Sequence, residues 1–194
     1  MRDLTFDVGL AFKLKVALAR NEWTEQLIDA ACEGDKLGQF KQVLLGRASI
    51  TMVEHIIDCD ADPFLPNGCK VEEHQKGGQW KWDPKQVKFF LSDGQKGGKT
   101  IEGNKLRKEL AKKSVFNANV LDYLLAHPHL IPEEWKKDEQ GNTRYIFFWG
   151  TIYRFRDGNL YVRCLFWFDG RWLWSGLWLG RDWNDLDPAA LRAS

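Results

Sequence analysis

The chain has 194 residues, of which 44% are hydrophobic and 28% charged, and its formal net charge is +1. That length suits one sizeable domain or two small ones, that composition excludes intrinsic disorder, and so balanced a charge selects neither nucleic acid nor an acidic membrane surface. No apolar run approaches the roughly 18 residues of a membrane span, Met1–Asp7 lacks the apolar core of a secretory signal, and the expected location is the cytoplasm.

Residues 4–46 predict three short helices. Leu10, Leu14, Ala17 and Leu18 recur at helical spacing, with Phe6 and Val16 around them, until Asn21-Glu22 breaks the run. Thr24 can cap a second helix holding Leu27, Ile28 and Ala31, with Gly34 near its end. A third carries Leu37, Phe40, Val43 and Leu44 and stops at Gly46. Its exposed face offers only Lys36, Gln39, Lys41 and Gln42, which favours a helical packing unit over a DNA-reading helix-turn-helix.

Residues 50–80 read as irregular, with Ile56-Ile57 a short apolar element and turn signals at Asp60–Pro63 and Pro66–Gly68. Residues 81–113 hold ten Lys or Arg against four Asp or Glu; within them Lys105–Lys112 reads as a solvated helix with Leu106 and Leu110 turned inward. Asn117 or Asn119 can cap a helix containing Val120, Leu121, Leu124 and Leu125, which Pro128 and Pro132 end before Trp135 anchors a last turn. From Tyr145 the period changes. Tyr145–Phe155, Leu160–Phe168 and Arg171–Leu179 are aromatic-rich stretches punctuated by Asp157-Gly158-Asn159 and Asp169-Gly170, the pattern of an antiparallel meander. The tail from Gly180 reads as turns with one anchoring Trp183. The expected fold is therefore α+β: a helical region at 1–48, a mixed helical and irregular support at 49–143, and a Trp-rich antiparallel sheet at 144–194.

Residues 141–194 contain no Lys, Glu, Gln, Met or His, whereas the rest of the chain has 17 Lys, 11 Glu, 8 Gln and 2 Met. An even spread would put roughly ten of them in this segment. All seven of its cations are Arg, and six of the ten Trp lie there. Flexible Lys and Glu lose much entropy when immobilised, while Trp, Tyr and Arg offer planar contact surfaces at lower cost, and interface cores show that bias. A small β core filled by Trp would explain the aromatics but not the loss of Lys and Glu from the surface. Period 2 along the third stretch groups Trp172, Trp174, Gly176 and Trp178 on one face. With Trp149, Trp167 and Trp183 these indoles are expected to form the scaffold. The opposite row, Arg171, Leu173, Ser175 and Leu177, is expected to meet a partner together with Phe168, Arg181, Asn184 and Leu186.

The stretches Asn117–Pro128, Leu130–Trp135, Phe147–Arg154 and Asp187–Leu191 resemble an uncharacterised bacterial protein family. Its C-terminal ends are similar to those of variable proteins diversified by a diversity-generating retroelement. In such systems, codons beginning with two adenines and ending in a pyrimidine mutate to most amino acids but never to Lys, Glu, Gln, Met or Trp. Phe168, Leu173, Ser175, Gly176, Leu177, Gly180, Arg181, Asn184, Leu186 and Asp187 all fall within the permitted set. The resemblance implies a C-type-lectin-like fold, although the usual long lectin motifs are missing.

Weaker chemical signals remain. His55, Cys59, Cys69 and His74 have loose zinc-ligand spacing; the alternative is two ordinary histidines and two buried thiols. Asp93–Thr100 nearly reads as a phosphate-binding loop, but Asp93 stands where the motif needs Gly. No serine sits in a nucleophile elbow and no cysteine has an evident histidine partner. The expectation is a non-enzymatic binding protein without a cofactor, whose C-terminal sheet displays a recognition surface for a protein or other macromolecule. The alternative is a nucleic-acid-binding module using Trp and Arg stacking plus the basic 81–113 segment.

Overall fold

The computed structural model describes residues 7–51 and 53–193. They fall into two compact units, Met1–Val53 and Glu54–Ser194.

The first unit carries three helices: α1 (Val8–Arg20), α2 (Glu25–Cys32) and α3 (Lys36–Leu44). Asp7 caps α1 by accepting from the Leu10 N–H, and Thr24 caps α2 by accepting from the Leu27 N–H. Residues 4–6 of the expected first helix lie outside the described residues. None of the three helices contains a fully buried residue.

The second unit places β1 (Ile56–Asp58), β2 (Cys69–His74) and β3 (Gln79–Lys81) in the segment expected to be irregular, followed by β4 (Val87–Phe90), β5 (Ile101–Glu102), α4 (Gly103–Leu110) and α5 (Ala118–Ala126). The meander follows as β6 (Ile146–Phe155), β7 (Leu160–Phe168) and β8 (Arg171–Trp178), then β9 (Asp182–Trp183) and β10 (Ala189–Arg192). Asn117 caps α5 by accepting from the Asn119 N–H, and Leu106 and Leu110 are buried.

The main sheet runs β4-β10-β6-β7-β8, with β2 paired to β6 as well. All of its neighbours are antiparallel except β10 and β6, which are parallel at Ala189 and Phe147. Strands from both sides of residue 143, where the sequence pattern changes, share this one sheet. β1 and β3 escaped the sequence pattern because a three-residue pairing leaves no periodic run, and β2 because the six residues Cys69–His74 are mostly exposed and polar. The tail also holds a strand, β10, where turns were expected.

Alternation puts one apolar cluster on each face of the sheet. Ile146, Phe148, Leu165 and Trp172 pack with Val120, Leu121 and Leu124 of α5 and with Trp80 and Trp135. Phe147, Trp149, Ile152, Val162 and Cys164 pack on the other face with Leu106 and Leu110 of α4 and with Trp183. Between Phe147 and Ile152 the β6–β7 register shifts. There a Cβ on Gly150 would lie 2.9 Å from the Asn117 backbone, so glycine lets the start of α5 press against the strand.

Candidate recognition surface

β8 is the edge of the sheet, so the row expected to meet a partner sits at its margin. Phe168, 62% exposed, ends β7, and Arg171, exposed, begins β8. Leu173, Ser175 and Leu177 alternate along β8 and are half-buried; Leu177 packs against the cluster around Trp183. Arg181, Asn184 and Leu186 follow in the loop that carries β9.

Five of these eight residues converge. Ser175, Leu177, Arg181, Asn184 and Leu186 line one shallow pocket of about 450 Å³. Tyr145, Phe166 and Asp187 complete it, the two rings stacked at 5.1 Å between centroids with planes 27° apart. A second recess of about 600 Å³ also has Leu186 in its lining, with Phe89, Asp138, Glu139 and Arg144. Leu186, 46% exposed, is thus common to both hollows. Phe168, Arg171 and Leu173 lie outside these two linings.

The indoles divide differently from the expectation. Trp149, Trp172 and Trp183 are buried and Trp167 is half-buried, but Trp174 and Trp178 are 39% and 45% exposed. Those two are therefore not core scaffold. Their face of the sheet is covered by α5 only as far as Arg163, whose guanidinium lies 4.2 Å from the Trp174 ring centre. The exposed Phe64 meets Trp174 edge-on at 6.2 Å. Strand parity assigns faces, but at an edge strand it does not say how far the covering layer extends.

Buried polar bonds hold the tail loop. Gln95, 1% exposed, donates from Nε2 to the carbonyls of Asn184 (2.8 Å) and Asp187 (3.1 Å), while its Oε1 accepts from the Ser92 N–H. Asp187 Oδ2 accepts from Arg181 Nη2 at 2.8 Å and from the Asn184 N–H at 3.2 Å. Burial pushes the Asp187 carboxyl above its usual range despite the guanidinium beside it. Trp183 is fully buried against Phe147 and Trp149, and a Cβ on Gly103 would lie 2.4 Å from both the Trp183 Nε1 and the Leu179 carbonyl oxygen. Loops fixed in this way lose little entropy when a ligand settles on them.

Tyr145, Phe166 and Gln95 went unrecognised in the sequence. Phe166 shares the parity of Phe168 along β7, so extending the period-2 argument by one strand would have found it. Gln95 lies in the loop considered only as a phosphate-binding motif, and nothing local announces its contact with the tail.

The two histidines with zinc-ligand spacing meet other partners. His74 is occupied on both nitrogens, by Thr151 Oγ1 at 2.9 Å and by the Cys59 carbonyl at 3.2 Å. His55 Nδ1 instead meets the Tyr123 hydroxyl at 3.0 Å, and its ring packs against His127 and His129. Among the described residues no three ligating side chains converge on a metal position. Burial pushes the Cys164 thiol up to about 12, which leaves it protonated and inert at neutral pH.

Comparison with family models, with curated proteins and with solved structures gives no match. Among the described residues no helix is long and apolar enough to cross a membrane.

Proposed function

We propose that this chain is a non-enzymatic cytoplasmic binding protein. Its margin of β8 and the loop from Arg181 to Leu186 form a recognition surface for a protein or other macromolecule, diversified by a retroelement on a lectin-like scaffold. The observation that carries this reading is the convergence of Ser175, Leu177, Arg181, Asn184 and Leu186 on one pocket. Each is a residue that an adenine-directed mutation scheme can produce, while the buried Trp149, Trp172 and Trp183 behind them lie outside that set. A rigid apolar interior with a small, loop-bearing margin is what a display scaffold needs, because the margin can then change without unfolding the rest.

The nucleic-acid reading draws less support, since part of the basic segment is neutralised within the unit. Lys81 pairs with Glu54, Lys96 with Asp93 and Arg107 with Glu73.

The test is a library. Phe168, Arg171, Leu173, Ser175, Arg181, Asn184 and Leu186 are randomised with the permitted residues and the pool is selected against several unrelated purified proteins. Folded binders to more than one target support the reading. Widespread unfolding of the pool, or stable variants that never yield a binder, overturns it. A steep loss of binding with salt would instead indicate phosphate contacts.

A further inference from the structure

A third pocket, of about 260 Å³ and mainly polar, lies apart from the recognition surface. Its wall comes from the connection between β2 and β3 (Gln75, Lys76 and Gly77), from the approach to α5 (Lys113 to Asn117) and from Arg192 of β10. Lys76, Lys113 and Arg192 line it and no carboxylate does; the Lys113 ammonium itself lies over the Phe90 ring, 4.4 Å from its centre.

Arg192 differs from four of the other arginines and resembles the half-buried Arg144, which also lies over an aromatic ring, that of Phe89, without an ion pair among the described residues. Arg107, Arg154, Arg163 and Arg181 each meet a carboxylate. Arg192 is half-buried and has no ion pair among the described residues. Its guanidinium lies over the rings of Trp80 (5.5 Å) and Phe116 (5.9 Å), and Nη2 reaches the Gly77 carbonyl only at 3.5 Å. Aromatic faces orient a guanidinium but do not neutralise it, and a partly desolvated cation without a counter-charge is costly. A Cβ at Gly77 would stand 3.2 Å from the Cys59 Cβ and 3.8 Å from Arg192 Nη2; glycine keeps that gap open.

We propose that this pocket binds an oxyanion, the phosphoryl group of a small phosphorylated ligand. Arg192 supplies the planar, two-pronged donor that matches such an oxyanion, with Lys76 as a flanking point charge and Lys113 as a second one once its flexible stem swings off Phe90. A lone phosphate has five heavy atoms and fills only part of the volume, so the remainder accommodates the group that carries it.

The experiment is calorimetric titration at constant ionic strength with inorganic phosphate, ribose 5-phosphate and ribose. One equivalent of ribose 5-phosphate binds and ribose does not. Lys76→Gln and Lys113→Gln, both in the lining, each weaken binding on the order of tenfold, whereas Lys99→Gln, an exposed lysine outside the pocket, leaves it unchanged. Phosphate binding as tightly as the ester supports the oxyanion site and assigns it to the free anion. The proposal is overturned if neither phosphate compound saturates the protein at millimolar concentration, or if Lys99→Gln weakens binding as much as Lys113→Gln does.

Discussion

Asp122 of α5 and Arg163 of β7 meet in a two-pronged ion pair, with Nη1 to Oδ2 at 3.0 Å and Nη2 to Oδ1 at 2.7 Å. Arg163 is 2% exposed and lies under Trp174. The pair fixes α5 against the sheet at the strand next to the edge. Replacing Asp122 by Ala strands a buried guanidinium, and the expected loss is about 3–5 kcal/mol. The paired change Arg163→Met with Asp122→Leu costs less than Asp122→Ala alone. Urea unfolding of the three variants checks both statements.

Trp183 anchors the loop that shapes the pocket. Trp183→Ala removes a fully buried indole and is expected to cost about 3–5 kcal/mol. Gly103→Ala attacks the same contact from the other side, because its Cβ has no room beside Leu179 and Trp183; a loss of about 1–3 kcal/mol follows from overpacking. Thermal and urea melts measure both.

The exposed margin should tolerate change. Phe168→Ser and Arg171→Ser alter side chains that are solvent-exposed, and each is expected to shift stability by no more than about 0.5 kcal/mol. A larger shift would mean that these residues stabilise the fold, which a freely varying surface cannot accommodate.

Asp187 predicts a pH dependence with a definite sign. Its folded-state pKa is raised by burial, so the folded chain holds this proton more tightly than the unfolded chain does. Its stabilising contribution is fully present below the unfolded pKa and is lost as pH rises through the folded value. The stability of the native chain relative to Asp187→Asn should therefore decline as pH rises across that window. Unfolding free energies measured from acid to neutral pH test this, and a difference that grows with pH would refute it.

The meander was legible because aromatic stretches and Asp-Gly turns are local signals: Asp157-Gly158 and Asp169-Gly170 punctuate the strands, with positive φ at Gly158, Asp169 and Gly170. The helices were legible for the same reason, through caps at Thr24 and Asn117. β10 was not, since Ala189–Arg192 is a strand only because β4 and β6 flank it. The pocket was half legible. Residue bias singled out Ser175 and Leu186, but the contribution of Tyr145 and the anchoring of the loop by Gln95 depend on pairings 21 to 92 residues apart along the chain. The exposure of Trp174 and Trp178 was hidden because the reach of α5 over the sheet is a tertiary fact.

The strand order bears on how this molecule assembles. β4 and β6 touch only through β10, so the sheet stays interrupted until that strand threads between them. Before insertion, both neighbours present bare hydrogen-bonding margins that invite pairing with another chain, and long-range closure of this kind is slow. Gly180–Pro188 leads directly into β10, so the loop bearing Arg181, Asn184 and Leu186 is tied to that insertion. A change within it that delays threading would therefore surface as aggregation during refolding, even where the finished protein is as stable as before.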